Sequence, residues 1–273
     1  RIFKEKISHL HRRDFMKMKK VLSLVFLALF LISCSSTPIT GRKQLLLVNE
    51  EETIQNSYAQ YAQVIKQSTV LNNNDAQLVK KVGNNIAKAV EKYFELHPEQ
   101  RTSKIKYQWE FNLIKDDTPN AWCMPGGKVA FYTGILPYTK GEQGIAVVMS
   151  HEIAHAVAEH SREQQSQSMI QSGVGAVLQT AFGVPQELYG SASNLVMLGY
   201  SRKQETEADE LGLIFMKLAG YNPSYALTFW ERMSSASAGK QSPEFLSTHP
   251  NDKTRIENIK KFLNSPTFLN VKK

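Results

Sequence analysis

Cysteine is nearly absent: the 273 residues hold Cys34 and Cys123 and no others. That excludes a disulfide framework. The chain does not need one, because a mature part of about 240 residues buries enough apolar surface to be stable without staples. Long apolar runs are missing as well. The longest, Val21 to Ile32, has twelve residues, short of the ~20 needed to span a bilayer as a helix. A basic surplus is missing from the working part of the chain. Of the net +8, residues 1–33 carry +6, so only +2 remains for the rest, which removes the charge argument for a nucleic-acid partner. There is no internal repeat, and no linker is long enough to divide the mature chain.

The apolar run belongs to the N-terminal region. Met16-Lys-Met-Lys-Lys20 is basic, Val21–Ile32 is apolar, and Ser33 is small, the order found in an export signal. Leu31-Ile32-Ser33-Cys34 resembles the bacterial lipobox, which implies cleavage before Cys34 and lipid on that cysteine. The resemblance implies an exported protein anchored to the bacterial cell envelope. In a two-membrane bacterium, Ser35 points to the outer membrane, facing the periplasm. Residues 1–15 read as an extension without function, 16–33 as the signal peptide, 34–49 as a polar tether and 50–273 as one folded domain. Cys123, in Asn120-Ala-Trp-Cys-Met-Pro-Gly-Gly127, has no histidine near it in sequence and reads as structural filler.

Apolar residues recur at helical spacing over 50–66 and 76–94, with Asn72–Asp75 capping the second stretch and His97-Pro98 ending it. Residues 105–113 alternate (Ile105, Tyr107, Trp109, Phe111 and Leu113 apolar), which predicts a half-buried strand. Pro125-Gly126-Gly127 predicts a turn, and 128–133 a second strand. Helices are expected over 141–160, over 161–200 with a break at Gly183–Pro185, over 201–219 ending at Gly220, over 223–234 and over 252–263. The expected class is α+β, mostly helical, with a small sheet.

Within the helix over 141–160 lies His151-Glu152-Ile153-Ala154-His155, set among Ile145, Ala146, Val147, Val148 and Met149. Spacing i, i+4 puts both imidazoles on one helix face. Burying two imidazoles and a carboxylate with no partner costs several kcal/mol; one Zn²⁺ supplies the partner. Glu152, next to the first ligand, then reaches a water on the metal as general base. A catalytic zinc takes a third protein ligand from elsewhere. Gln204-Glu-Thr-Glu-Ala-Asp-Glu210 offers four carboxylates at a helix start. Glu205 and Glu207 flank the buried stripe on opposite sides, so periodicity does not choose between them. Asp209 lies one turn above Glu205, placed to be a supporting partner.

HExxH followed some 50 residues later by Ser201-Arg202-Lys203-Gln204-Glu205-Thr206-Glu207-Ala208-Asp209 resembles the zinc metallopeptidases of the HtpX and CAAX prenyl endopeptidase type. The resemblance implies a zincin-type (gluzincin) domain. It assigns Glu205 as the third ligand and gives Asp209 a supporting or proton-donor role. Two more segments resemble the family's motifs. Residues 120–136 look like its edge strand and turn beside the cleft. Ser247-Thr-His-Pro250 with Arg255-Ile256 looks like its C-terminal motif, which places His249 and Arg255 at the site. The lipobox adds similarity to the exported BepA-like and Oma-like lipoproteins.

The resemblance implies a zinc endopeptidase with one Zn²⁺ per chain on His151, His155 and Glu205, and Glu152 as base. The implied substrates are unfolded or misfolded envelope proteins, held extended on a strand edge near 128–133. His249 has three readings: a ligand that holds the enzyme off, a support for the transition-state oxyanion, or a loop residue capping the next helix. A different class of function is an assembly or chaperone-like lipoprotein with latent protease activity. His160 lies off the 151/155 face and reads as structural, and His97 has no assigned role.

Overall fold

A computed structural model of the chain describes residues 34–182, 200–237, 245–249 and 253–272. Strands β1 (Cys34–Ser36) and β2 (Lys43–Leu45) form a short antiparallel pair. Residues 34–49, expected to be a tether, are thus partly built into the molecule. The reason is a carboxylate in the domain: Glu207 is buried and draws Thr37, Thr40 and Arg42 onto it.

Helix α1 (Glu50–Gln67) starts at Asn49, whose side chain accepts from Glu52 N at 3.0 Å, with Glu50, Glu51 and Glu52 in the first turn favouring the helix dipole. Helix α2 (Asn74–Leu96) is capped by Asn73 and buries Val82, Ile86, Val90 and Phe94 of the expected stripe, together with Val79, while Leu78 and Ala89 are only half-buried. A three-stranded sheet follows: β3 (Glu110–Ile114), β4 (Ala121–Met124) and β5 (Lys128–Tyr132), in the order β3-β5-β4. β3 runs parallel to β5 and β4 antiparallel.

The sheet corrects two expectations. The strand expected over 105–113 enters the ladder only at Glu110, because its partner begins at Lys128 after the tight turn. Before that point, the Gln108 and Glu110 amides bond to the carbonyls of Gly126 and Gly127. Both glycines have φ near +90° (87° and 95°), and a Cβ at either would strike the ring of Tyr58 or Trp109. Second, residues 128–132 are central and not an edge. The edges are β3 and β4, and among the described residues no strand pairs with the outer side of β4.

Helix α3 (Leu136–Thr139) is a single turn leading to α4 (Glu142–Val157). Every residue of α4 from Gly144 to Val157 is buried, so its apolar character runs all round, as in a central core helix. It stops earlier than expected. Glu159 takes a left-handed φ of 57°, and α5 (His160–Phe182) starts in a new direction. The expected break at 183–185 lies outside the described residues.

Helix α6 (Arg202–Ala219) opens with a capping box between Ser201 and Gln204 and ends on Gly220, with φ 85°. It packs against α4 closely enough that a Cβ on Gly212 would lie 3.2 Å from His151 N, so glycine permits the approach that sets the site. Helices α7 (Tyr225–Ser237), α8 (Phe245–Thr248), α9 (Lys253–Leu263) and α10 (Pro266–Leu269) close over the other side. Ser247 and Thr248, expected on a loop with His249 and Pro250, are the last residues of the one-turn α8, and α10 was not expected. Among the described residues no helix is long and apolar enough to cross a membrane. The fold is α+β and mostly helical, the class expected, with α2, α4 and α6 stacked beside the sheet.

Candidate metal centre

The two HExxH imidazoles lie at the core of the molecule. His151 and His155 are 2 % and 1 % exposed, with their Nε2 atoms 3.1 Å apart. Helix α6 brings Glu205 to them: its carboxylate lies 3.5 Å from His151 Nε2 and 3.4 Å from His155 Nε2. The turn after α8 brings His249, whose Nδ1 is 3.0 Å from Glu205 Oε1 and 3.2 Å from His151 Nε2. Ligand atoms of His151, His155, Glu205 and His249 all fall within 4.8 Å of one another. Glu207 points to the far flank of α6, toward His160, so of the two carboxylates that periodicity left open it is Glu205 that sits with the imidazoles.

These residues fit a divalent cation. His151 Nδ1 faces Asp209 Oδ1 at 3.0 Å and donates to it, which leaves the Nε2 lone pair facing the cluster. Lone pairs and a carboxylate converging at such distances repel unless a positive charge sits among them. Glu205 Oε2 accepts no well-directed hydrogen bond, although Arg255 Nη1 is 3.1 Å away. Among the described residues Glu152 Oε1 is likewise buried without a well-directed hydrogen bond, with His249 Nε2 3.3 Å away.

Around the donors stands a set of orienting groups. Arg255 donates from Nε and Nη2 to both oxygens of Asp209 at 2.8 Å, and its guanidinium lies 3.4 Å from the centre of the Trp230 ring. Tyr200 stacks on His155 with ring centres 3.8 Å apart, and Phe245 lies against His249 at 4.5 Å. His155 Nδ1 is 2.8 Å from His160 Nδ1. The His160 reading therefore changes, because it touches a candidate ligand. Sequence periodicity missed it since five residues along a continuous helix turns a side chain well off the face. The left-handed Glu159 brings it back, and no Gly or Asn marks that break.

Charge is distributed unevenly. Burial opposes ionisation of Glu205, yet the imidazoles of His249, His151 and His155 gathered around it hold it well below the usual carboxylate range. Burial likewise opposes the charge on Asp209, and Arg255 outweighs it, so its pKa is lowered. Glu152 goes the other way: burial pushes it up to about 7, only partly opposed by His249 at 3.3 Å. A carboxylate near neutrality takes and returns protons readily. The β4 backbone at Cys123 lies against Glu152 and favours its charged form. Cys123 itself is buried, with its thiol pushed up, in keeping with a structural role. His97 is half exposed at the end of α2, 3.6 Å from Glu99 and remote from the cluster in sequence and contacts.

Comparison with known proteins agrees with this geometry. The profile of Peptidase family M48 matches residues 84–263. The mitochondrial metalloendopeptidase OMA1 of Schizosaccharomyces pombe is 43 % identical over 159 residues, covering 57 % of this chain and 47 % of that protein. The bovine mitochondrial metalloendopeptidase OMA1 is 26 % identical over 262 residues, 88 % of this chain and 48 % of that one. The beta-barrel assembly-enhancing protease of Escherichia coli K12 is 29 % identical over 166 residues, 56 % and 34 % of the two chains. The chain spans about half the length, or less, of these relatives. The family match covers well over half of the chain and contains every residue of the cluster, so this chain belongs to Peptidase family M48, whose members are zinc-dependent metallopeptidases.

Proposed function

We propose that the chain is a membrane-anchored zinc endopeptidase that hydrolyses unfolded or misassembled proteins of the bacterial cell envelope. The observation that carries this reading is the buried His151, His155 and Glu205 set with Glu152 beside it. Zinc held there by those three side chains supplies Lewis-acid polarisation of a peptide carbonyl and an acidified water. Glu152 takes a proton from the attacking water and returns it to the leaving amine, a task suited to a carboxyl poised near 7. Asp209, clamped by Arg255, fixes the tautomer and ring orientation of His151.

The outer edge of β4, unpaired among the described residues, runs past Glu152 and offers backbone groups to an extended segment, which favours unfolded chains over compact domains. It replaces the 128–133 edge as the substrate rail. His249, within reach of Glu205, His151 and Glu152 together, acts as a fourth donor that keeps the resting enzyme closed. The anchor rests on the Leu31–Cys34 lipobox, and the envelope setting draws support from the likeness to the beta-barrel assembly-enhancing protease of Escherichia coli.

Casein cleavage by the purified protein tests the reading. Hydrolysis that is lost in chelator and restored by zinc supports it; cleavage indifferent to chelator sinks it. The same buried His249 favours a second reading, an assembly factor with latent proteolysis. Under that reading casein is untouched even after His249→Ala.

A further inference from the structure

The ring nitrogens of His155 have different neighbours. Nε2 faces His151 and Glu205 at 3.1 and 3.4 Å, and Nδ1 faces His160 Nδ1 at 2.8 Å. Two ring nitrogens at that distance share one proton, so one must donate and the other accept. The direction is set further out. His160 Nε2 lies 3.0 Å from Glu207 Oε2, and a carboxylate only accepts, so the His160 proton sits on Nε2. His160 Nδ1 is then the acceptor, His155 Nδ1 carries the proton, and His155 Nε2 presents a lone pair to the cluster.

We propose that His160 and Glu207 are positioning residues for the metal ligand His155, and that the Thr37–Arg42 segment is the far end of the same device. The proposal rests on the reading of His155 as a zinc ligand. Glu207 is held from three sides. The Thr37 and Thr40 hydroxyls donate to Oε1, and Arg42 Nε donates to Oε2 at 2.6 Å. The Arg42 fork also donates twice to Glu163 at 2.8 Å, and Gln204 Nε2 donates to Glu163 Oε2 at 2.7 Å. A residue that merely filled the turn after Glu159 would need no such chain. His160 is fully buried, where an apolar side chain would pack without needing hydrogen-bond partners. The arrangement mirrors the other ligand. Asp209 meets His151 directly, and Glu207 meets His155 through one imidazole. It also gives Glu207 a task although it is not a ligand, and explains why the segment just after Cys34 is folded onto the domain.

The test is the zinc dissociation constant of the purified full chain, measured by competition with a chromophoric chelator. Thermal unfolding checks the fold, and the histidine protons are read by long-range ¹H–¹⁵N NMR. His160→Phe keeps the ring's bulk and removes both hydrogen bonds; zinc binding should weaken by about 10–100-fold. His160→Asn, whose side-chain oxygen can accept from His155 Nδ1, should recover most of the loss, which a purely structural residue has no reason to do. The zinc-loaded wild type should show the His155 proton on Nδ1. If His160→Phe does not fold, Glu207→Gln carries the test, with weakening of at least about tenfold expected. A folded His160→Phe or Glu207→Gln protein within about threefold of wild type overturns the proposal, and so does a His155 proton on Nε2. A wild type that binds no zinc fails at the earlier step, the metal centre itself, and takes this inference with it.

Discussion

Replacing Arg255 by Met isolates the charge at the back of the metal centre. The side chain is 5 % exposed and makes two 2.8 Å hydrogen bonds to Asp209, with Glu205 at 3.1 Å. Methionine keeps an apolar stem over Trp230 and removes the guanidinium. Asp209 and Glu205, both buried and both held ionised, then lose their shared cation. Breaking a buried pair on one side costs about 3–5 kcal/mol. At about 2–4 °C per kcal/mol for a domain of this size, the metal-free variant should melt about 6–20 °C below wild type. The deficit should shrink with zinc bound, because the ion supplies charge to Glu205. Adding Asp209→Asn removes one stranded charge but keeps an acceptor for His151, so the double variant should regain about 1 kcal/mol or more over additivity. Calorimetry on the four proteins reads all of this. A melting point within about 2 °C of wild type, or strict additivity, refutes the reasoning.

Glu152→Gln should keep its zinc and lose at least about 10²-fold in casein cleavage, since the base is not itself a ligand. Zinc content by metal analysis should fall to background in Glu205→Ala. For His249→Ala, assayed at fixed zinc occupancy, basal cleavage should rise, because a competing donor is gone and the open fraction increases; a fall would instead make His249 an oxyanion support. Glu210 gives the pH dependence. Burial, with the charges of Glu207 and Asp209, pushes it up to about 7. A carboxyl raised above its unfolded value favours folding below about 4.5, and that contribution is lost as pH rises to about 7. Glu210→Gln should therefore melt like wild type at pH 4 and higher at pH 8, by on the order of 1 kcal/mol after solvent screening.

What the sequence disclosed follows from periodicity. His151 and His155 share a helix face because i and i+4 always do, whatever packs around them. The α2 helix and the end of α6 at Gly220 were legible for the same local reason. The sheet was not, because the order of its strands is a non-local fact. The apolar run over 128–133 after its turn indicates a strand but not how many neighbours it has, and β5 turned out to be covered on both sides. Glu205 against Glu207 was undecidable from spacing, since each borders the buried stripe, and only the three-dimensional neighbours separate them. One meets three imidazoles, the other an imidazole, two hydroxyls and a guanidinium.

His160 shows where local reasoning stops. Its place depends on one backbone angle, at Glu159, which takes a left-handed conformation without the Gly or Asn that would advertise it. Such a residue is held there by its surroundings: Arg162 pairs with the Glu159 side chain at 2.7 Å, and His160 is anchored by Glu207 one step on. The break and the histidine chain therefore depend on each other. The kink turns His160 toward His155, and the bonds made by His160 offset the cost of the kink. A helix continued through 158–160 would bury the same apolar side chains on α4 but leave the His155 tautomer unset and Glu207 without its imidazole. The orientation of the His155 ring is thus decided by residues that no single-helix pattern groups together, one of them contributed by the segment that follows Cys34.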